Sequence, residues 1–138
     1  MPYAWVTVAS GHPSNKKKTL IKTLTQTFDD VLEVGSAHTQ IYVVEAALDT
    51  IGIAGETPDV ADVALVTVML SKGRPPVVLQ RLVTQIAASV ASALQVRTDD
   101  VHCVLLEQEA SRISVGGVPL NFPRLPGWLL DHQRHIVQ

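Results

Sequence analysis

The chain has 138 residues, 46% hydrophobic and 17% charged, with a formal net charge of −2. One domain of ordinary size is expected, and its surplus of apolar residues points to oligomerisation, since a small chain hides such surface only in an interface. With no basic cluster beyond Lys16-Lys17-Lys18, which reads as a solvated helix face, the balance argues against nucleic-acid binding.

The chain opens Met1-Pro2-Tyr3-Ala4-Trp5-Val6-Thr7-Val8, a β-branched and aromatic run that starts on proline. Initiator methionine is usually clipped before a small residue such as proline. The expected N-terminus is therefore Pro2, a free secondary amine where an internal proline offers only an amide nitrogen. At the start of a buried strand, desolvation and nearby cations would favour the neutral, basic form of that amine.

Tyr3 to Ala9 is the first predicted strand, and Ser10-Gly11-His12-Pro13 a turn with Ser14 as helix cap. Leu20, Ile21, Leu24, Phe28, Val31 and Leu32 recur at helical spacing, and Gly35-Ser36 is the expected stop. Ile41 to Glu45 is a second strand, followed by the loop Ile51-Gly52-Ile53-Ala54-Gly55.

The same pattern then repeats. Leu65 to Leu70 reads as a strand and Lys72-Gly73-Arg74-Pro75-Pro76 as a turn. Leu79, Leu82, Val83, Ile86, Val90 and Leu94 mark a helix, Val101 to Leu106 a strand, and Ile113-Ser114-Val115-Gly116-Gly117 the matching loop. An offset of 62 residues superposes Val6 on Val68, Gly11 on Gly73, Pro13 on Pro75, Glu45 on Glu107 and Gly55 on Gly117 without a gap. Such internal similarity governs the architecture. Two β-α-β repeats (2–55 and 64–117) joined by a linker (56–63) predict an α+β domain spanning 1–138. Its four-stranded sheet should carry two helices on one face and leave the other apolar face for a partner. An irregular tail occupies 118–138, where Trp128, Leu129 and Leu130 are expected to pack on a neighbouring subunit.

Cys103 stands alone in an apolar run, a small buried hydrophobe rather than half of a disulfide. The N-terminus lacks the basic and apolar regions of a secretory signal. No apolar run approaches the ~20 residues that cross a bilayer. A cytoplasmic protein without membrane contact is expected. His132 and His135 sit three apart in the tail, but with no third ligand in view no metal site is expected.

Pro2 on a short strand, the Gly-His and Gly-Arg turns, and strands ending in Glu45 and Glu107, together with the glycine loops after them, resemble the tautomerase superfamily. Its founding member, 4-oxalocrotonate tautomerase, is built from subunits about half this length. The resemblance covers about residues 2–117, and the double length resembles the fused members, which include the cis-3-chloroacrylic acid dehalogenases, the malonate semialdehyde decarboxylases and the fused tautomerases and are typically trimers. It implies a tautomerase/MIF-like fold, a homotrimer, no cofactor and a small carboxylic acid as substrate.

The resemblance implies roles residue by residue. Pro2 matches the proline that moves the proton. Its counterpart Ala64 lies mid-chain, so one of the two equivalent pockets would be catalytic and a trimer would hold three sites. Arg74 matches the turn arginine that holds the substrate carboxylate, and a guanidinium offers a bidentate fork for that purpose. Lys72 lies near the place of a second arginine. Arg112 is a further possible anion contact. His12 stands where the founding enzyme has a turn arginine, and Gln40 and His102 where it has a strand arginine. Ile51 and Ile113 replace its pocket aromatic. His38 falls close to the water-activating aspartate of the decarboxylases, and a histidine there is either a base near neutral pH or a surface residue. The stretch Ala110-Ser111-Arg112-Ile113-Ser114 has no carboxylate where the dehalogenases activate water. Proton transfer on enol or 2-keto acids is the leading expectation, with a hydratase-type dehalogenase or decarboxylase and a silent trimeric binding protein as alternatives.

Overall fold

The computed structural model describes residues 2–60 and 62–122. The chain forms two compact units, Met1–Glu107 and Gln108–Gln138. The residues expected to pack on a neighbour (Trp128, Leu129, Leu130) and the tail histidines (His132, His135) lie outside the described residues.

In the first unit the elements run β1 (Tyr3–Ala9), α1 (Ser14–Leu32), β2 (Gln40–Ala46), β3 (Ala64–Ser71), α2 (Pro76–Leu94) and β4 (Val101–Gln108). They form a mixed four-stranded sheet in the order β2-β1-β3-β4, the α+β architecture expected. β1 and β2 are parallel, as a strand-helix-strand unit requires, and β1 pairs with β3 antiparallel.

The 62-residue offset recurs in three dimensions. α1 and α2 have the same length and start after Pro13 and Pro75, both extended. They end on Glu33 and Gln95, both left-handed at φ 56° and 59°. Ser14 is thus the first helical residue and caps nothing with its side chain. The stop at Glu33 comes before Gly35, whose amide instead takes the Asp29 carboxylate at 3.0 Å.

Two equivalent pairs touch each other and so mark a pseudo-twofold axis. Trp5 faces its own counterpart Thr67 across the β1/β3 seam, with Ala4 opposite Val68 and Val6 opposite Val66. Above the sheet, the hydroxyls of Thr27 and Ser89, also 62 residues apart, hydrogen-bond at 2.7 Å between α1 and α2. Thr27 donates to the Thr23 carbonyl at 3.0 Å, which leaves Ser89 as the donor between the two hydroxyls.

Alternation in the strands sorts the sheet into two faces. Ala4, Val6 and Val8 of β1 and Ala64, Val66, Val68 and Leu70 of β3 point to one core. The buried stripes Leu20-Leu24-Phe28-Val31 of α1 and Leu82-Ile86-Val90-Leu94 of α2 close over it. Both helices therefore cover the same face. The opposite face carries Tyr42 and Val44 of β2, Leu65 of β3, and Val104 and Leu106 of β4, all exposed. Trp5 stacks on Tyr42 there, rings 6.3 Å apart and inclined by 17°.

One expectation needs correcting. α2 is long and apolar enough to cross a membrane by length and composition. Gln80, Arg81 and Gln85 lie along its exposed side, while the stripe from Leu82 to Leu94 is buried against the sheet, which is the pattern of an amphipathic helix covering one face.

The second unit is a short element in which β5 (Ser114–Val115) pairs antiparallel with β6 (Val118–Pro119) around Gly116-Gly117. Both glycines have positive φ (59° and 81°), which a tight two-residue turn demands. Ordered pairing thus continues into the start of the segment expected to be irregular. Ile113 is buried, and its carbonyl accepts from the Leu120 amide at 2.9 Å.

Two outcomes follow from the core. Phe28→Ala is expected to cost about 3–5 kcal/mol in denaturant unfolding, because Phe28 is fully buried at the helix–sheet contact. Burial also pushes the Cys103 thiol up to about 11. At pH 8 roughly one thiol in a thousand is then thiolate, so thiol reagents should label the native protein slowly and the unfolded protein at once.

Candidate active site

The axis gives the sheet two equivalent ends. At one, Tyr3 opposite Met69 brings Pro2 beside the end of β3 and hence beside the turn Ser71-Lys72-Gly73-Arg74. At the other, Val8 opposite Ala64 brings the start of β3 beside the end of β1 and the turn Ser10-Gly11-His12. Antiparallel pairing is thus what unites a residue from the first strand of one half with a turn from the other half.

Pro2 is fully buried. Its carbonyl accepts from the Gln40 amide at 3.2 Å, which pins the chain end to the start of β2. The Gln40 side chain is held in turn by the Tyr42 hydroxyl, which donates to Oε1 at 2.6 Å. The same register sets Thr39 level with Pro2. The Thr39 hydroxyl is buried with no hydrogen-bond partner. It is a polar group at the strand start that the sequence reading missed, because one threonine among eleven gives no signal by itself. His38 closes the single helical turn Ser36–His38 and is exposed.

Arg74 is half-buried. Its Nη1 donates to the Ser71 carbonyl at 3.0 Å and lies 3.5 Å from the Ser71 hydroxyl, so the guanidinium folds back over its own turn. Burial lowers its pKa from the ordinary value, and the charge of Glu107 opposes that shift. A guanidinium starts so high that it stays cationic at neutral pH. Glu107 is thus a carboxylate near the cation as well as the end of a strand. Its counterpart Glu45 forms an ion pair with Lys17 on α1. Position 79, the counterpart of Lys17, is leucine, so the second half offers no helix lysine there. Lys72 is exposed at the head of the turn.

The other end holds an open pocket of about 440 Å³, lined by Thr7, Ile51, Gly52, Ile53, Val63, Ala64, Leu65, Asp100 and His102. Within one chain His102 therefore belongs with Ala64 and lies away from Pro2, whereas Gln40, its counterpart, stands at the Pro2 end. His12 is the counterpart of Arg74, and its Nε2 is buried with no hydrogen-bond partner. Arg112 and Ile113 belong to the second unit. Arg112 is exposed at the end of the turn Ala110–Arg112, and Ile113 is buried. Among the described residues no cluster of three His, Cys, Asp or Glu side chains could hold a metal ion.

No protein-family model and no curated protein sequence matches the chain. Solved structures do. A fused 4-OT, a wild-type symmetric trimer, superposes with a TM-score of 0.80 at 24% identity, over 86% of this chain and 95% of that one. N1, a member of the cis-3-chloroacrylic acid dehalogenase family, gives a TM-score of 0.82 at 17% identity over 96% and 99% of the two chains. Pt0534 inactivated by 2-oxo-3-pentynoate gives 0.80 at 15% identity, over 86% and 95%. The chain has the fold of the fused 4-OT proteins.

Proposed function

We propose that this chain, built on the fused 4-OT fold, is a tautomerase-superfamily enzyme that moves a proton within a small enol or 2-keto acid. The observation that carries this reading is that buried Pro2 and the cationic turn Lys72-Gly73-Arg74 share one end of the β1/β3 seam. Removal of Met1 turns the Pro2 nitrogen into a secondary amine. Burial and two neighbouring cations favour its neutral form, which is the form that accepts a proton.

Arg74 and Lys72 hold the substrate carboxylate, Arg74 through its fork and Lys72 as a point charge. Pro2 takes the proton from the enol hydroxyl, the carbonyl forms, and the prolinium returns the proton to the neighbouring carbon. Atoms and charge balance with no external oxidant or reductant. Gln40, whose side chain accepts from the Tyr42 hydroxyl, hydrogen-bonds the oxygen at which charge develops. In this reading the protein acts in the cytoplasm.

A second reading keeps the site and changes the reaction. N1 covers more of this chain than the fused 4-OT structures do, which supports a hydratase-type dehalogenase or a decarboxylase of three-carbon acids. There His38 would activate water. It requires product from 3-haloacrylates or malonate semialdehyde, and loss of that product in His38→Ala.

The exposed apolar sheet face supports a homotrimer, the state named for the fused 4-OT trimer it resembles. Val104→Lys places a charge on that face and should shift the particle from trimer to monomer in light scattering. An unchanged trimer would remove the sheet face from the interface.

The enzymatic reading is tested with the intact mass and two variants. The mass should be short by one methionine. Pro2→Ala should lower phenylenolpyruvate ketonisation at least ~100-fold. Arg74→Ala should raise KM about tenfold or more, with Lys72→Ala milder. Retained Met1, or Pro2→Ala with full activity, would make the silent trimeric binding protein the better reading.

A further inference from the structure

The two ends of the sheet are equivalent in backbone and opposite in chemistry. Residues 62 apart pair Pro2 with Ala64, Tyr3 with Leu65, His38 with Asp100, Gln40 with His102, Lys72 with Ser10 and Arg74 with His12. The Pro2 end has gathered cations. The Ala64 end has lost both the lysine and the arginine, and at position 100 it carries a carboxylate in place of a histidine. Aliphatic side chains from Ile51, Ile53, Val63 and Leu65 form its walls, with Thr7, Asp100 and His102 as its polar groups. A volume of about 440 Å³ is that of a site for a small organic molecule.

We propose that this Ala64 pocket is a second, non-catalytic binding site. Its ligand is a small molecule with an apolar body and a hydrogen-bond-donating head, best an amine. The aliphatic walls take the body. Asp100 accepts from the head, and an ammonium there makes a charge-assisted bond. Among the described residues no Lys or Arg lines the pocket, so a carboxylate would meet the Asp100 charge with no fixed cation beside it. The pocket therefore rejects the acids that the Pro2 end is built to hold. With Ala64 mid-chain there is no terminal amine, so a bound molecule meets no proton-transfer group of the kind Pro2 supplies. This inference goes beyond the enzymatic reading and does not depend on it, because all nine lining residues are distinct from Pro2, Lys72 and Arg74.

The test uses the assembled protein and three probes of one shape: benzylamine, benzyl alcohol and benzoate. Binding is followed by the amide resonances of residues 63–65. Benzylamine should perturb them most, benzyl alcohol less, and benzoate not at all. Ile53→Trp fills the pocket from an exposed position that carries no load in the core, and should abolish both responses. Asp100→Asn should weaken benzylamine about tenfold and leave benzyl alcohol unchanged. Pro2→Ala should leave benzylamine binding intact, which separates this site from the catalytic reading. Benzoate binding as tightly as benzylamine, responses that survive Ile53→Trp, or no response to any probe in the assembled protein would each overturn the proposal.

Discussion

The antiparallel seam between β1 and β3 is the constraint on which the rest depends. It is the one strand pairing that joins the two halves in the sheet, and its register sets Trp5 against its own counterpart Thr67. Everything equivalent is then placed by rotation about that point. A slip of one residue would turn Val6, Val66 and Val68 out of the core and move Pro2 away from the Arg74 turn. The Thr27–Ser89 hydrogen bond marks the same axis between the helices. The seam thus acts both as core and as the device that brings a strand start and a distant turn together.

Much of this was legible in the chain. The gapless 62-residue offset predicted two equal β-α-β units, and the helix stripes and strand alternation located the core. The Pro13 and Pro75 turns marked where the helices begin. The helix stops were hidden, because Glu33 and Gln95 adopt left-handed backbone that their residue types do not advertise. The span-length apolarity of α2 was also missed, since it follows from a whole-helix average that single charges mask.

The placement of the candidate residues was legible only in part. Pro2 and Arg74 do fall at one end, as the antiparallel seam dictates. His102 falls at the other end, and no periodicity could have said so, because the direction in which β1 meets β3 decides it. Glu107 beside Arg74 and the unpartnered Thr39 hydroxyl emerge only from packing, since each is an ordinary strand residue until its neighbours are known.

The repeat can also be viewed as a duplicated gene kept within one reading frame. Scaffold positions have stayed paired: glycine with glycine at 11 and 73, proline with proline at 13 and 75, glutamate with glutamate at 45 and 107. Rim positions have drifted apart, histidine against aspartate at 38 and 100, histidine against arginine at 12 and 74. Two separate genes diverge in fold and surface alike. Two halves bound by one seam share their fold by compulsion, while side chains are free to vary within it. Fusion here resembles paralogy under a common backbone, in which the two ends can differ in chemistry while the fold between them stays shared.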